Sequence, residues 1–206
     1  MRKILAPALV LAAALIAVAC ASRPDEAAIH ARTESLITEM FAKGTPAVVA
    51  RMKLDDEQIA CNQYRSKPPK EVGEVLEKKQ LATIRYPADG KFLGDWKRGE
   101  KVAQNGQGFQ FSDKPGAPAG GNCYACHQLA PQEQSFGTLG PSLRNFGKTR
   151  GHDEAVQKYV YGKIYNSQAF SVCSSMPRFG HNGILTEQQI KDLVALVLDP
   201  ESPVNK

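Results

Sequence analysis

Hydrophobic positions along the chain recur mainly at helical spacing, which predicts a mainly α protein. This spacing runs through residues 25–56 with a break at 44–46, continues as a short helical turn at 57–64, and returns in a charged helix at 71–79. The sequence at 81–86 instead predicts a short strand, because it is apolar, contains Thr and Ile, and precedes a proline.

Two helices with clear start signals are predicted in the second half of the chain. Asp95 is a suitable N-cap for a helix over 96–104, in which Gly99 allows another helix to approach closely. Thr186 begins a second helix over 187–198 with a capping box. The apolar stripe of this helix consists of Ile190, Leu193, Val194 and Val197.

The first residues have the features of an export signal: a basic start, an apolar run over 4–19, and small residues before Cys20. The run is shorter than the ~20 residues of a membrane-spanning helix, which makes a retained span the weaker alternative. We therefore expect residues 1–21 to be a signal peptide and the mature protein to be periplasmic, where disulfides persist. Lipidation of Cys20 stays open as a membrane anchor, although Ala17 stands where such signals usually carry Leu.

Charge gives little support for nucleic-acid binding. The 26 Lys and Arg against 21 Asp and Glu leave a net charge of +5. Removing Arg2 and Lys3 with the signal lowers this charge further, and no block of basic residues interleaved with aromatics occurs. The net charge is compatible with an acidic partner that docks on one basic face.

The sequence Cys123-Tyr124-Ala125-Cys126-His127 predicts one covalent haem c. Two thiols at this spacing can add to the two vinyl groups on one haem edge, while the next residue brings an imidazole to the iron. A zinc site would need two further ligands at metal spacing, and a thioredoxin-like pair would need a βαβ context. We therefore expect Cys123 and Cys126 to attach the haem and His127 to be an axial ligand.

A second axial ligand decides between an electron carrier and a catalyst. Met176 follows His127 by 49 residues, and Pro177 favours an extended conformation for it, so that its thioether can point into a pocket. A thioether stabilises Fe(II) and raises the reduction potential, which suits an electron acceptor. We expect Met176 to be this ligand. The competing candidates are Cys173, His181 and His152.

Two cysteines lie outside both the signal and the haem motif. Cys61 and Cys173 are expected to form a disulfide, because an exported protein seldom leaves cysteines unpaired. Such a bridge would anchor the segment that carries Met176.

The order of these features resembles the class I cytochrome c fold: a helix with a glycine contact, the haem motif, Met-Pro and an amphipathic C-terminal helix. Gly140-Pro141-Ser142-Leu143 is similar to the Gly-Pro-x-Leu of that family, in which the proline carbonyl accepts the proximal imidazole proton. The resemblance thus implies that Pro141 orients His127. We predict a haem domain over 91–206 and an N-terminal helical extension over 22–90.

A narrower resemblance, over about residues 92–206, is to SoxX, the small haem subunit of the SoxAX cytochrome of bacterial thiosulfate oxidation. It lies in three segments: 137–143, 176–180 and the tail 198–205. The resemblance implies a heterodimer with a SoxA-like subunit, which oxidatively joins thiosulfate to a cysteine of the carrier SoxY. This chain would accept the electrons and pass them to a small cytochrome c.

The same resemblance assigns the substrate-linked haem to SoxA, so no catalytic residue is expected in this chain. Its enzyme role would be that of the electron-transfer subunit of an L-cysteine S-thiosulfotransferase. Two alternatives stay open from the residues alone. One is a free-standing periplasmic electron-carrier cytochrome, and the other is a haem enzyme with an open sixth position.

Overall fold

The computed structural model describes residues 25–42, 49–50, 52–108, 113 and 116–206. The predicted signal at 1–21, including Cys20, lies outside the described residues. The α-helices, in chain order, are α1 (Glu26–Phe41), α2 (Asp56–Gln63), α3 (Lys70–Leu81), α4 (Trp96–Gln104), α5 (Phe146–Arg150), α6 (Glu154–Tyr165) and α7 (Glu187–Leu198). Short 3₁₀ turns occur at Cys123–Ala125, Ser167–Ala169 and Pro203–Asn205. The described ranges contain no strand, and the fold is mainly α as predicted.

The chain divides into two compact units, residues 1–52 and 53–206. In the first unit, Asp25 is the N-cap of α1, and its side chain accepts a hydrogen bond from the backbone amide of Ala27. None of the residues of α1 is buried. Over the ranges given above, no helix is long and apolar enough to cross a bilayer.

The centre of the second unit is the contact between α4 and α7. Both predicted caps are present: Asp95 accepts from the start of α4, and Thr186 forms the capping box of α7. Gly99 lies against α7 so closely that an added Cβ would stand 2.1 Å from the carbonyl oxygen of Asp192. The predicted glycine contact is therefore present. An Arg98 side chain donates two hydrogen bonds to the Asp192 carboxylate, at 2.8 and 2.9 Å, across the same contact.

The hydrophobic core forms around α7, in which every residue from Ile190 to Leu198 is buried. Helix α6 packs on α7 and supplies Tyr161, which touches Phe92 edge to face. The C-terminal tail closes the core, because the buried Asn205 side chain donates to Val197 and accepts from Gly147.

The predicted strand at 81–86 is wrong. Helix α3 continues through Leu81, and the chain then turns, with the Thr83 amide and hydroxyl both donating to the Gln80 carbonyl. The helix therefore ends in a side-chain-stabilised turn, and in the described part of the chain there is no strand with which these residues pair. The helical predictions at 57–64 and 71–79 are confirmed by the helices Asp56–Gln63 and Lys70–Leu81. Of the helical pattern predicted over 25–56, the helix Glu26–Phe41 is present, and residues 43–48 and 51 lie outside the described residues.

Candidate functional site

The cysteine motif forms one tight turn. The amides of Cys126 and His127 both donate to the carbonyl of Cys123, at 3.1 and 2.8 Å, so the three functional side chains leave the backbone within a single turn. Cys123 and Cys126 are not joined in a disulfide, and each is partly buried. Asn122 enters the turn in the left-handed conformation, with φ of 45°.

The environment of Cys123 does not suit a reactive dithiol. Burial, and next the neighbouring Cys126, raise the pKa of the Cys123 thiol to about 12. A Cys-x-x-Cys redox pair relies on a thiolate with a lowered pKa, so a thioredoxin-like role is disfavoured.

The imidazole of His127 is oriented from two sides. Its Nδ1 lies 2.7 Å from the carbonyl oxygen of Pro141, which confirms the expected contact. A carbonyl only accepts hydrogen bonds, so Nδ1 carries the proton and Nε2 keeps its lone pair. Gly140 lies against the ring, where an added Cβ would stand 2.2 Å from Cε1. The arrangement leaves Nε2 as the nitrogen that can bind iron.

Met176 lies in a loop with little freedom. Its carbonyl accepts a hydrogen bond from the Ser167 hydroxyl at 2.5 Å, and its amide donates to the Ser174 hydroxyl at 3.2 Å. The side chain is partly buried and packs against the main core. These two hydrogen bonds thus fix the backbone of Met176 at both its amide and its carbonyl.

The predicted disulfide between Cys61 and Cys173 is confirmed, with the two Cα atoms 5.5 Å apart. A cysteine engaged in a disulfide has no thiolate to offer a metal. Cys173 is therefore removed from the competing axial ligands.

The two competing histidines, His181 and His152, make contacts with other residues. His181 lies with Nδ1 3.2 Å from the Thr83 hydroxyl, and burial followed by the charge of Arg178 lowers its pKa. His152 is exposed at the start of α6, where its carbonyl accepts from Gln157.

These residues fit a covalently bound haem. The two cysteines outside the disulfide lie on one turn, and the imidazole beside them presents an unprotonated nitrogen. Gly140 leaves open the space beside the ring that any side chain would fill. In the described part of the chain, no group of three or more His, Cys, Asp or Glu side chains forms an alternative metal site.

Comparison with known proteins agrees with this geometry. The cytochrome c family matches residues 96–199, which span the haem motif, Met176 and α7. The chain belongs to the cytochrome c family. This cytochrome is also 42% identical, over 154 residues, to an uncharacterized lipoprotein of Aquifex aeolicus (strain VF5), a match that covers 74% of this chain and 73% of that protein. It carries covalently attached haem c and is a haem electron-transfer cytochrome.

The sequence did not reveal the residues that contact the loop carrying Met176 but lie far from it along the chain. Glu57 contacts Cys173, and Asp55 pairs with Arg178, across more than a hundred residues of sequence. Each of these residues alone has the appearance of an ordinary surface charge. The only local signal was Cys61, whose pairing places α2 beside the loop.

Proposed function

We propose that this cytochrome is a SoxX-like subunit that relays electrons from a thiosulfate-oxidising partner to a small cytochrome c. In the proposal, a SoxA-like subunit joins thiosulfate to a cysteine of a SoxY-type carrier, and this chain accepts the electrons released. The motifs at 137–143 and 176–180 and the tail at 198–205 support this assignment. The tail is part of the folded structure, since Ser202 and Asn205 are buried.

The proposed ligand set is Cys123 and Cys126 for covalent attachment, with His127 and Met176 as axial ligands. The observation that carries the His127 assignment is its contact with Pro141, which fixes the imidazole tautomer required for iron binding. The hydrogen bonds that hold the backbone of Met176 support the assignment of the second ligand. When bound, the haem supplies one-electron exchange at iron. With both axial positions filled by the chain, its residues would exclude external ligands and keep the chemistry to electron transfer.

Met176 ligation is tested by the absorption spectrum of the oxidised holoprotein. A Met-ligated ferric haem has a weak thioether-to-iron band towards the red end of the spectrum, and Met176→Ala should abolish it. Met40→Ala is the matched control, because Met40 is exposed on α1. A band that persists in Met176→Ala contradicts the assignment.

The partnership is tested by co-purification. Tagged holoprotein from cells that grow on thiosulfate should retain a second haem subunit through size-exclusion chromatography. A cytochrome that purifies alone, with an intact thioether band, supports a free-standing electron carrier instead. Tight carbon monoxide binding by the reduced protein would favour the third alternative, a haem enzyme with an open sixth position.

We further propose that the mature protein is periplasmic and is attached to a membrane through a lipid on Cys20. The small residues before Cys20 and the description of the Aquifex relative as a lipoprotein support this. Mass spectrometry of the mature N-terminus tests it, with Cys20→Ser as the control that should release the protein from the membrane fraction.

A further inference from the structure

The segment 53–84, which comprises α2, α3 and their connections, contacts the loop that carries Met176. We call residues 53–84 the clamp segment and residues 170–181 the Met176 loop. A covalent bond joins them, since Cys61 of α2 forms the disulfide with Cys173. Cys173 itself adopts a left-handed backbone with φ of 60°, a conformation that non-glycine residues seldom adopt without surrounding contacts.

A second contact comes from Glu57, which is only 1% exposed. Its Oε1 accepts a hydrogen bond from the Cys173 amide at 3.3 Å, while its Oε2 has no hydrogen-bond partner among the described residues. Burial raises the pKa of this carboxyl, opposed by the Cys173 amide and the charge of Arg178. A buried carboxyl with one unpartnered oxygen costs folding free energy, so its position calls for a role beyond stability.

The third contact is an ion pair. The guanidinium of Arg178 belongs to the Met176 loop, its side chain is 8% exposed, and it meets the Asp55 carboxylate at 2.5 Å. Its other terminal nitrogen lies 3.4 Å from Oε1 of Gln80, at the end of α3. Only the arginine of this pair is buried, since the Asp55 side chain is 38% exposed, and separating the pair would leave the buried guanidinium without its counter-charge.

The end of α3 adds polar contacts on both sides of the loop. The buried Asn166 amide donates to the Gln80 side chain at 2.8 Å and to the Thr83 hydroxyl at 2.9 Å. Thr83 also meets His181 at the far end of the loop. Asn166 directly precedes Ser167, the residue whose hydroxyl holds the Met176 carbonyl.

We infer that the clamp segment positions the Met176 thioether at the iron and keeps the sixth coordination site closed, with Cys61, Glu57 and Asp55 as positioning residues. The inference rests on the proposed ligation by Met176. For an external ligand to reach the iron, the Met176 loop must move away, and this movement strains or breaks the clamp contacts. The clamp segment would therefore decide whether the haem relays electrons or also binds small ligands.

The test is a titration of the ferric holoprotein with imidazole, in which binding is measured by the loss of the thioether band. The double variant Cys61→Ser/Cys173→Ser removes the covalent contact without leaving a thiol that could bind iron. We expect its apparent imidazole affinity to rise about tenfold or more, since a change of roughly 1.4 kcal/mol in loop opening is enough for this.

Milder variants at two positions, Asp55 and Glu57, cover the case in which the double variant does not fold. Asp55→Asn keeps the N-cap of α2, because asparagine caps as well as aspartate, but it removes the charge that faces Arg178. Glu57→Gln keeps an acceptor for the Cys173 amide and should bind imidazole like the wild type, whereas Glu57→Ala should bind it more tightly. Asp56→Asn is the matched control. Asp56 is next to Asp55 in the sequence, but its carboxylate is exposed to solvent and pairs with Lys79.

Each outcome decides a separate point. Tighter imidazole binding in Asp55→Asn and Glu57→Ala, with Asp56→Asn unchanged, supports the inference. Equal affinity in all variants of a protein that shows the thioether band overturns the inference and leaves the proposed ligation standing. A wild-type protein without that band contradicts the ligation by Met176, and the inference falls with it.

Discussion

Among single residues, Gly140 shows how the haem motif depends on a residue that has no side chain. The His127 ring occupies the space where any other residue would place its Cβ, and Pro141 then fixes the ring by its carbonyl. The ring therefore keeps its orientation only if residue 140 has no side chain.

Gly140→Ala should lower the fraction of chains that carry covalent haem, because the added methyl group would displace the imidazole from the Pro141 carbonyl. The haem content per chain, measured by the pyridine haemochrome spectrum against protein concentration, checks this. Gly73→Ala is the control: its Cβ meets only a Pro68 carbon at 4.0 Å, and it should load haem normally. Equal loading of both variants would contradict the argument.

The residues that sequence analysis could identify are those whose function is indicated by their close neighbours in the sequence. Cys123, Cys126 and His127 share one turn, so their spacing alone indicates the chemistry. Glu57 acts through Cys173, 116 residues away, and no pattern near Glu57 records that contact. Long-range contacts of this kind depend on tertiary structure, which local spacing does not contain.

At the scale of elements, the crossing of α4 and α7 combines close approach with a buried charge. Gly94 and Gly99 let α7 come near, and the Asp192 carboxylate accepts from Arg98 and from the Asp95 amide in the space between. Burial acts to raise the pKa of Asp192, but hydrogen bonds from Arg98, the Asp95 amide and Gln188, together with the Arg98 charge, outweigh it and lower the pKa.

This lowered pKa predicts a pH-dependent contribution to stability. Because the folded protein holds the carboxylate ionised, the contribution is present above the ordinary value of 3.8 and is lost as the pH falls through the lower folded value. Asp192→Asn should therefore lower the free energy of unfolding at neutral pH, and the difference from wild type should shrink as the pH falls below that ordinary value. Urea denaturation over a pH series measures this. A constant difference would contradict it.

Start signals explain which elements were predictable. The helices α4 and α7 begin at strong N-caps and carry clear stripes, and their predicted bounds are confirmed. Helix α6 was missed although Asp153 caps it, because its apolar and polar positions mix along the helix. The error at 81–86 arose because Thr and Ile favour strands locally, while the side chain of Thr83 instead ends a helix.

For the whole molecule, the disulfide closes a long loop. The bonded residues are separated by 112 positions, and the chain-entropy account assigns about 4–5 kcal/mol to such a loop. Cys61→Ser/Cys173→Ser should lower the free energy of unfolding of the holoprotein by about that amount, as measured by guanidinium denaturation. A loss much smaller than this would show that haem attachment already restricts the unfolded chain.

The division of the chain into units follows tertiary contacts more than sequence pattern. The boundary near residue 90 stays a prediction, while the compact unit extends back to Lys53 and includes α2 and α3. Composition gives no sign of this, because 53–90 is charged and carries no motif. Its disulfide and its ion pair with Arg178 join it to the Met176 loop.

The presence of a disulfide and a haem motif in one chain also constrains how the protein matures. Of the pairings open to the four cysteines that the structure describes, only Cys61–Cys173 leaves both haem-binding thiols reduced. Premature oxidation of Cys123 or Cys126 would block thioether formation until an isomerase or reductant reversed it. Biogenesis must therefore keep two thiols reduced while it oxidises two others, and heterologous production will depend on thiol-reducing factors as well as on haem supply.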